Sequence, residues 1–137
     1  MGCHSNICKA QHKFTGEWVI GQLFIDKEYE PGYYIILTHK EYGIAYVPIK
    51  PDTICYVTDM FDKNHNLIFE HDIIKYSYES WGTNESLHQI EWWNGMWRTY
   101  NGEYHPLHYL SSTHTEVVGN IFINPEIITT FDIKEGD

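Results

Sequence analysis

The sequence is poor in positive charge and in long apolar segments. Its 137 residues include nine Lys and Arg against nineteen Asp and Glu, for a formal charge of -10, and Arg98 is its only arginine. A groove that binds nucleic acid phosphates needs clustered basic residues, so this balance argues against one. No apolar stretch approaches the roughly 18 residues of a transmembrane helix, and no signal peptide is recognisable, so we expect no membrane association.

Cysteine is also scarce, and the three cysteines Cys3, Cys8 and Cys55 cannot all pair with one another. An odd number of cysteines without a signal peptide is typical of a reducing compartment, so the sequence predicts a cytoplasmic protein. With 42% hydrophobic and 16% aromatic residues, the composition is far from that of a disordered chain. We therefore expect a globular protein whose core needs no disulfide, metal ion or cofactor.

Helical periodicity is nearly absent, and short runs of β-branched and aromatic residues alternate with turn residues. The strongest turn signal is Asn94-Gly95 between the apolar runs 87–93 and 96–100, which predicts a type I′ hairpin. The pattern predicts an all-β fold in one domain, residues 1–137. We expect a single small barrel or barrel-like sandwich of about eight strands with one short C-terminal helix, and the pattern leaves barrel and sandwich open.

Several boundaries follow from turn residues and proline. Pro48 places the end of the strand over 42–49 at a sheet edge or strand terminus. We expect a loop at 81–84 and a final long strand over 116–123. The helix should begin at Asn124-Pro125-Glu126, whose residue types suit an N-cap and the first helical turn.

Three segments resemble one family. Residues 16–21, G-E-W-V-I-G, are similar to the "G-E-W-V-x-G" start of YopX-like proteins, which are small proteins of bacteriophages, prophages and other mobile elements. Residues 58–75, T-D-M-F-D-K-N-H-N-L-I-F-E-H-D-I-I-K, resemble their "T-G-L-x-D-K-N-G-K-x-I-F-E-G-D-I-V-K" signature, and residues 116–126 resemble their closing "E-V-I-G-N-I-Y-x-N-P-E" segment. The resemblance covers residues 16–128. It implies a β-rich fold and a mobile-element context, and it supplies no catalytic residues.

The departures from the family pattern are themselves informative. Asp59, His65 and His71 stand where the family has glycine. Asp, Asn and His are the residues other than glycine that best tolerate a positive φ. We therefore expect tight turns at these three positions, and no metal site made by the two histidines.

Two groups of side chains have the residue types of a metal site. Cys3, His4, Cys8 and His12 lie close together in sequence, but alternation in a strand opening at Ile7 opposes a shared tetrahedral zinc site. The alternative is that these cysteines are buried or incidental thiols with no metal-binding role.

The second group is His105, His108 and His114, next to Pro106. Proline and the surrounding residues favour a loop, and three histidines with no cysteine near them in sequence make an incomplete metal site. We expect exposed loop histidines, so the sequence predicts no metal site.

A hydrolase-type enzyme is one alternative function, using Glu70 and Asp72 or the loop His105–His108. Two close carboxylates can shift one pKa into the range of acid-base catalysis. The alternative for Asp72 is structural, because an aspartate at the start of a strand can bond backbone N–H groups of a tight turn.

The aromatic hairpin is the most unusual feature. We predict a binding site at Trp92, Trp93, Trp97 and Tyr100, which surround Asn94-Gly95. Strand alternation sends Trp92 and Trp93 to opposite faces, so one of them belongs to the core and the other faces outward. Outward aromatics anchor protein interfaces and also stack on single-stranded bases.

These observations lead to a first hypothesis of a non-enzymatic phage or prophage accessory protein that binds another protein. A single-stranded nucleic-acid module stays open as an alternative, although nucleic acid is disfavoured by the charge. Exposed edges of an open sheet pair readily with a second copy, so we also expect a homo-oligomer.

Overall fold

A computed structural model of the chain describes residues 7–28, 32–41, 43–78, 84–107 and 110–127. The described residues fall into two compact units, the first ending at Val57 and the second beginning at Thr58. This division concerns compactness alone, and a single domain over 1–137 stays a prediction. Each unit is described by itself below.

β-Strands dominate the described ranges, which contain eleven of them. They are β1 (Ile7–Gln11), β2 (Trp18–Ile25), β3 (Tyr33–His39), β4 (Gly43–Pro48), β5 (Cys55–Phe61), β6 (Leu67–Phe69), β7 (Asp72–Tyr78), β8 (Asn84–Trp93), β9 (Met96–Tyr100), β10 (Tyr104–Pro106) and β11 (Thr115–Asn120). Short 3₁₀ turns occupy Pro51–Thr53 and Ser112–His114, and a helical turn covers 125–127. Within the described ranges, none of the helical segments has the length and apolar character needed to cross a membrane.

The first unit is an antiparallel sheet with the strand order β4-β3-β2-β1-β5. One face of this sheet is a core of small and medium side chains, formed by the buried residues Cys8, Ala10, Ile35 and Ile49. At Gly21 a side-chain methyl would lie 2.7 Å from the Ile36 carbonyl oxygen. Glycine is therefore required where β2 and β3 approach each other. Pro48 ends β4 at the edge of this strand order, as predicted.

The second unit holds a five-stranded antiparallel sheet with the order β10-β9-β8-β7-β11. β5 also pairs with β6. The core of this unit is built from larger residues than that of the first. They are Ile68, Ile74, Tyr76, Ile90, Leu107 and Leu110, with Met60, Trp97 and Val117 packed against them.

Three boundaries differ from the sequence-based expectations. Tyr104–Pro106 is a strand rather than a loop, and Pro106 is tolerated because it is the last residue of an edge strand. β8 already includes Asn84, which we had predicted to end a loop, and the rest of that loop lies outside the described residues. β11 ends at Asn120, short of the predicted Ile123, because the Asn120 Oδ1 atom accepts the N–H groups of Phe122 and Ile123 and so turns the chain.

The coarse fold prediction is confirmed, since the protein is mostly β with two antiparallel sheets and a helix. The helical turn begins at Pro125, as predicted, and Ile127 donates its N–H to the Asn124 carbonyl oxygen at 3.2 Å. The described strand orders do not close on themselves, so the barrel form of the prediction is not confirmed.

Candidate functional site

The hairpin between β8 and β9 has the predicted geometry. Asn94 and Gly95 have φ angles of 51° and 86°, the left-handed conformation that a type I′ turn requires at both central residues. The register pairs Trp93 with Met96 and Trp92 with Trp97. The turn therefore fixes which aromatic side chains share a face.

Trp92 and Trp93 lie on opposite faces of the sheet, as predicted. The Trp92 and Trp97 rings contact edge to face, with their centroids 4.9 Å apart, and Trp97 packs against the core of the second unit. Tyr100 is also buried. Trp97 thus faces the core, and Trp92 is half-buried. Tyr100 lies on the other face of β9, the face of Trp93, where its ring centroid is 4.7 Å from that of Tyr104. Trp93 is the exposed member of the predicted set, at 50% exposure.

Trp93 forms one side of a stack that the sequence analysis did not identify. The Arg98 guanidinium lies 4.3 Å from the centroid of Trp93 and 3.8 Å from that of Tyr104, which is 55% exposed. We call Trp93, Arg98 and Tyr104 the Arg98 stack. Arg98 follows from the hairpin register, but Tyr104 depends on β10, a strand that the sequence analysis assigned to a loop.

Glu91 fixes the guanidinium of this stack. Its Oε1 atom accepts a hydrogen bond from Arg98 Nε at 2.5 Å, across the directly opposed pair of β8 and β9. The Arg98 stack, with Met96, His105 and Pro106, lines a shallow cavity of about 130 Å³. The only arginine of the chain is thus already paired with a carboxylate and stacked on aromatic rings, which limits its availability to a phosphate.

Other cations of the second unit are paired with carboxylates too. Lys75 Nζ lies 3.4 Å from Glu116 and 3.6 Å from Glu85, and the hydrogen bond to Glu116, with the charges of both glutamates, raises the pKa of Lys75. Lys63 also lies 3.6 Å from Glu116. Among the described residues of the second unit, these pairs leave little unbalanced positive charge for a nucleic acid backbone.

The glycine-replacing residues adopt the backbone conformation that was predicted for them. Asp59, His65 and His71 have φ angles of 66°, 64° and 69°. The His71 ring packs edge to face on Phe122 at a centroid distance of 5.8 Å. Both histidines therefore occupy turn positions within the segment that resembles the family signature.

Asp62 organises the turn that contains His65. Its carboxylate is 3% exposed and accepts backbone N–H groups from Asn64 at 2.9 Å, Asn66 at 2.8 Å and Val117 at 3.0 Å. Burial alone would raise the pKa of Asp62, but these hydrogen bonds outweigh it and lower the pKa. Through Val117 the carboxylate ties this turn to the closing family segment.

A backbone hydrogen bond of His71 provides a second link between the same two segments, and another joins His71 to β8. The His71 N–H donates to the Ile90 carbonyl oxygen at 2.7 Å, and the His71 carbonyl oxygen accepts the Ile121 N–H at 3.0 Å. A methyl group at Gly119 would lie 1.9 Å from the Asn124 Oδ1 atom, so this glycine leaves room for the Asn124 side chain. The family segments thus build turns and the contacts between them.

The carboxylates of the hydrolase alternative have structural partners. The Asp72 side chain is 1% exposed, and its Oδ2 atom accepts the Phe69 N–H at 2.8 Å, the turn-capping role predicted from its position. Glu70 Oε2 lies 3.8 Å from His71 Nε2. The geometry therefore ties both carboxylates to the turn at 69–72.

The histidines of the second metal candidate have separate surroundings. His105 lies in β10 with its Nε2 atom 3.7 Å from Glu103, so it is not the loop residue that was predicted. The His114 ring packs edge to face on Tyr76 at 6.1 Å. His108 lies outside the described residues.

His88 is a buried histidine that sequence reasoning missed. Burial and, to a smaller extent, the charge of His105 lower the pKa of His88 to about 4. Its Nε2 atom is 2.7 Å from the Ser86 hydroxyl, whereas its Nδ1 atom has no hydrogen-bond partner among the described residues. Alternation along β8 was the available signal, since it places His88 on the same face as Ile90 and Trp92.

The N-terminal metal candidate is only partly described, because Cys3 and His4 lie outside the described residues. Cys8 is fully buried in the core of the first unit, and burial raises the pKa of its thiol to about 11. The Nδ1 atom of His12 accepts the Phe14 N–H at 3.1 Å. Among the described residues, no three His, Cys, Asp or Glu side chains are arranged to hold a metal ion.

A comparison with known protein families supports the resemblance to YopX-like proteins over most of the chain. No curated protein matches the sequence. The family model described as YopX protein matches residues 9–129, which contain all three of the segments whose turns and contacts are described above. On this match, the chain belongs to the YopX protein family.

Proposed function

We propose that this protein is a phage- or prophage-type accessory protein that binds another protein without catalysing a reaction, and that the Arg98 stack is its contact surface. The observation that carries the proposal is the combination of Trp93 and Tyr104, each at least half exposed, on either side of Arg98. Trp, Tyr and Arg are the residue types that contribute most to protein interfaces.

The local architecture favours a protein ligand. Glu91 and the two rings hold the guanidinium in place before any partner binds, which reduces the entropy lost on association. The edge strand β10 has only three residues and ends in Pro106, so it offers little backbone for strand addition. We infer recognition through side chains, by a partner with an apolar pocket and a basic rim that matches the charge of -10.

A nucleic acid partner is the less favoured alternative. Aromatic side chains do stack on single-stranded bases, but such sites also carry a basic groove along the phosphates. Here Arg98 is paired with Glu91, and Lys75 with Glu85 and Glu116. A cytoplasmic location forms part of the proposal, since the three cysteines of the sequence cannot all pair with one another.

The test is an affinity capture from bacterial lysate with tagged protein, with and without nuclease, in three forms. These are the unchanged chain, Trp93→Ala and Phe14→Ala. Phe14 is 76% exposed and lies in the other unit, so its replacement removes an exposed ring of no proposed function. We expect a protein that survives nuclease, is retained by Phe14→Ala and binds Trp93→Ala about 30-fold more weakly, as expected for a lost anchor of about 2 kcal/mol.

Three results would contradict the proposal. Equal capture by Trp93→Ala would remove the Arg98 stack from the interface. Capture that disappears with nuclease would favour the nucleic acid alternative. If the unchanged chain retained no protein, the lysate would contain no partner of the kind proposed. Thermal unfolding of each variant is the control for loss of structure.

Self-association is a second candidate, favoured by the edge strand β4. This strand stands at the end of its strand order, has no charged residue, and has four of its six residues exposed. Such an edge can pair with a second copy. We expect a dimer by light scattering that Ile44→Lys in β4 abolishes. Ile20→Lys, at an exposed position of the interior strand β2, should leave the dimer intact; a monomeric unchanged chain would refute this candidate.

A further inference from the structure

A cavity of about 420 Å³ lies in the first unit and plays no part in the proposed function. Four residues line it, namely Phe24, Asp26, Tyr34 and Tyr46. Its volume falls within the range of small-molecule sites in proteins. All four residues belong to the same unit, so the cavity is defined within that unit alone.

Strand register brings the three aromatic rings together. Phe24 of β2 is directly opposite Tyr34 of β3, and Tyr46 of β4 is opposite Ile36, two residues further along β3. These positions share the sheet face opposite the core, because Leu23, which precedes Phe24, packs in the core. Phe24 and Tyr46 are 38% and 55% exposed, so the rings are accessible.

The three rings form a compact triangle. Their centroids are 5.6 Å apart for Phe24 and Tyr46, 6.3 Å for Phe24 and Tyr34, and 6.5 Å for Tyr34 and Tyr46. A cation interacts with an aromatic ring up to roughly 6 Å from its centroid, so one cation can contact all three rings of a triangle this small. The Tyr34 and Tyr46 planes are 83° apart, which lets rings approach a cation from different directions.

Asp26 adds a carboxylate at the end of β2. Its position is fixed, because its N–H donates to the Gly32 carbonyl oxygen at 2.7 Å and its Oδ1 atom accepts the Glu28 N–H at 3.0 Å. None of the residues described as lining the cavity is a lysine or an arginine. The lining thus combines negative ring faces with one full negative charge, and it repels phosphate groups.

We infer that this cavity binds a methylated ammonium group, of the quaternary type found in choline. A primary ammonium is strongly hydrated and loses that water when it moves onto aromatic ring faces, so a lining of three rings and one carboxylate disfavours it. A quaternary ammonium has no donor, and aromatic rings with a nearby carboxylate satisfy it. The inference rests on other residues than the Arg98 stack and can fail or succeed independently of the proposed function.

The experiment measures binding of choline by calorimetry and by chemical shifts of the isotope-labelled full chain. Its matched ligand is 3,3-dimethylbutan-1-ol, which has the shape of choline without the charge. We expect choline to bind with a dissociation constant on the order of a millimolar, and the alcohol to bind roughly tenfold more weakly. Lysine, with a primary ammonium, should also bind more weakly than choline.

Variants locate the site. Tyr46→Ala and Asp26→Asn should each weaken choline binding by roughly 5- to 30-fold, whereas Phe14→Ala, an exposed ring elsewhere in the unit, should not. Equal binding of choline and the alcohol would show a merely apolar cleft. Tighter binding of lysine than of choline would overturn the quaternary assignment. The site itself would be overturned if choline did not bind at concentrations on the order of ten millimolar. It would also be overturned if both variants bound choline as well as the unchanged chain does.

Discussion

The turn network around Asp62 and the hairpin at Asn94-Gly95 belong to the same unit, yet they use polar and aromatic groups in opposite ways. The Asp62 carboxylate is enclosed and satisfied by three backbone N–H groups. At the hairpin, Trp93 is half exposed and holds Arg98 at the surface. The segments that resemble the family thus form the frame, whereas the surface suited to binding lies between them in sequence. A family signature can therefore mark architecture rather than chemistry.

Replacing Asp62 by alanine removes the acceptor on which the turn network depends. The change leaves three backbone N–H groups without their carboxylate acceptor, and hydrogen bonds to a charged group contribute more than neutral ones. We expect a loss of about 4 kcal/mol in the free energy of unfolding, measured by urea denaturation. Asp52→Ala, at an exposed position, is the control and should change stability by less than about 0.5 kcal/mol. Similar losses from both would refute the role of Asp62.

Two tryptophan variants separate the core face of the hairpin from its exposed face. Trp97 packs against the core, so Trp97→Ala should lower the free energy of unfolding by about 3 kcal/mol. Trp93 contacts mainly Arg98 and is half exposed, so Trp93→Ala should cost less than about 1 kcal/mol. Urea denaturation of the two variants side by side gives the difference. Equal losses would show that the exposed face also serves stability.

Acidification tests the buried polar groups of the unit. The pKa of His88 is about 4 in the folded protein and about 6.5 in an unfolded chain, so the unfolded state binds more protons between these values. Stability should therefore fall as the pH decreases from about 6.5 to 4, by an amount on the order of 2–3 kcal/mol. Urea denaturation across this range measures the slope, and His88→Gln should flatten it. An unchanged slope in that variant would assign the effect to other groups.

A second step should follow at lower pH. Because the pKa of Asp62 is lowered in the folded state, its contribution is complete above the ordinary aspartate pKa of about 4. That contribution is lost as the pH falls below this value and through the lower pKa of the folded protein. Asp62→Asn should lack this step and keep the step of His88.

Local features of the fold were predictable because they depend on neighbouring residues. A positive φ at Asp59, His65 and His71 followed from residue types that tolerate it, and the hairpin followed from Asn94-Gly95. The opposite orientation of Trp92 and Trp93 required only strand alternation.

Features that depend on distant pairing were not predictable. Tyr104 completes the Arg98 stack only because a short edge strand, β10, pairs with β9 despite its proline. The aromatic cavity depends on the register of three successive strands, which no single segment encodes. The bond from Val117 to Asp62 joins residues 55 positions apart, so neither local segment contains its signal.

The hydrogen bond from the Val117 N–H to the Asp62 carboxylate also affects folding during synthesis. During synthesis the turn at Asp62 leaves the ribosome 55 residues before Val117 does, and until then its Oδ2 atom lacks its backbone donor from the closing segment. The His71 carbonyl oxygen likewise lacks its hydrogen-bond donor until Ile121 has been synthesised. Non-local closure of this kind slows folding, since the chain entropy is lost before the contacts form. The second unit therefore closes only after β11 has been translated, and a nascent chain that stops before Thr115 lacks β11 and the closing contacts.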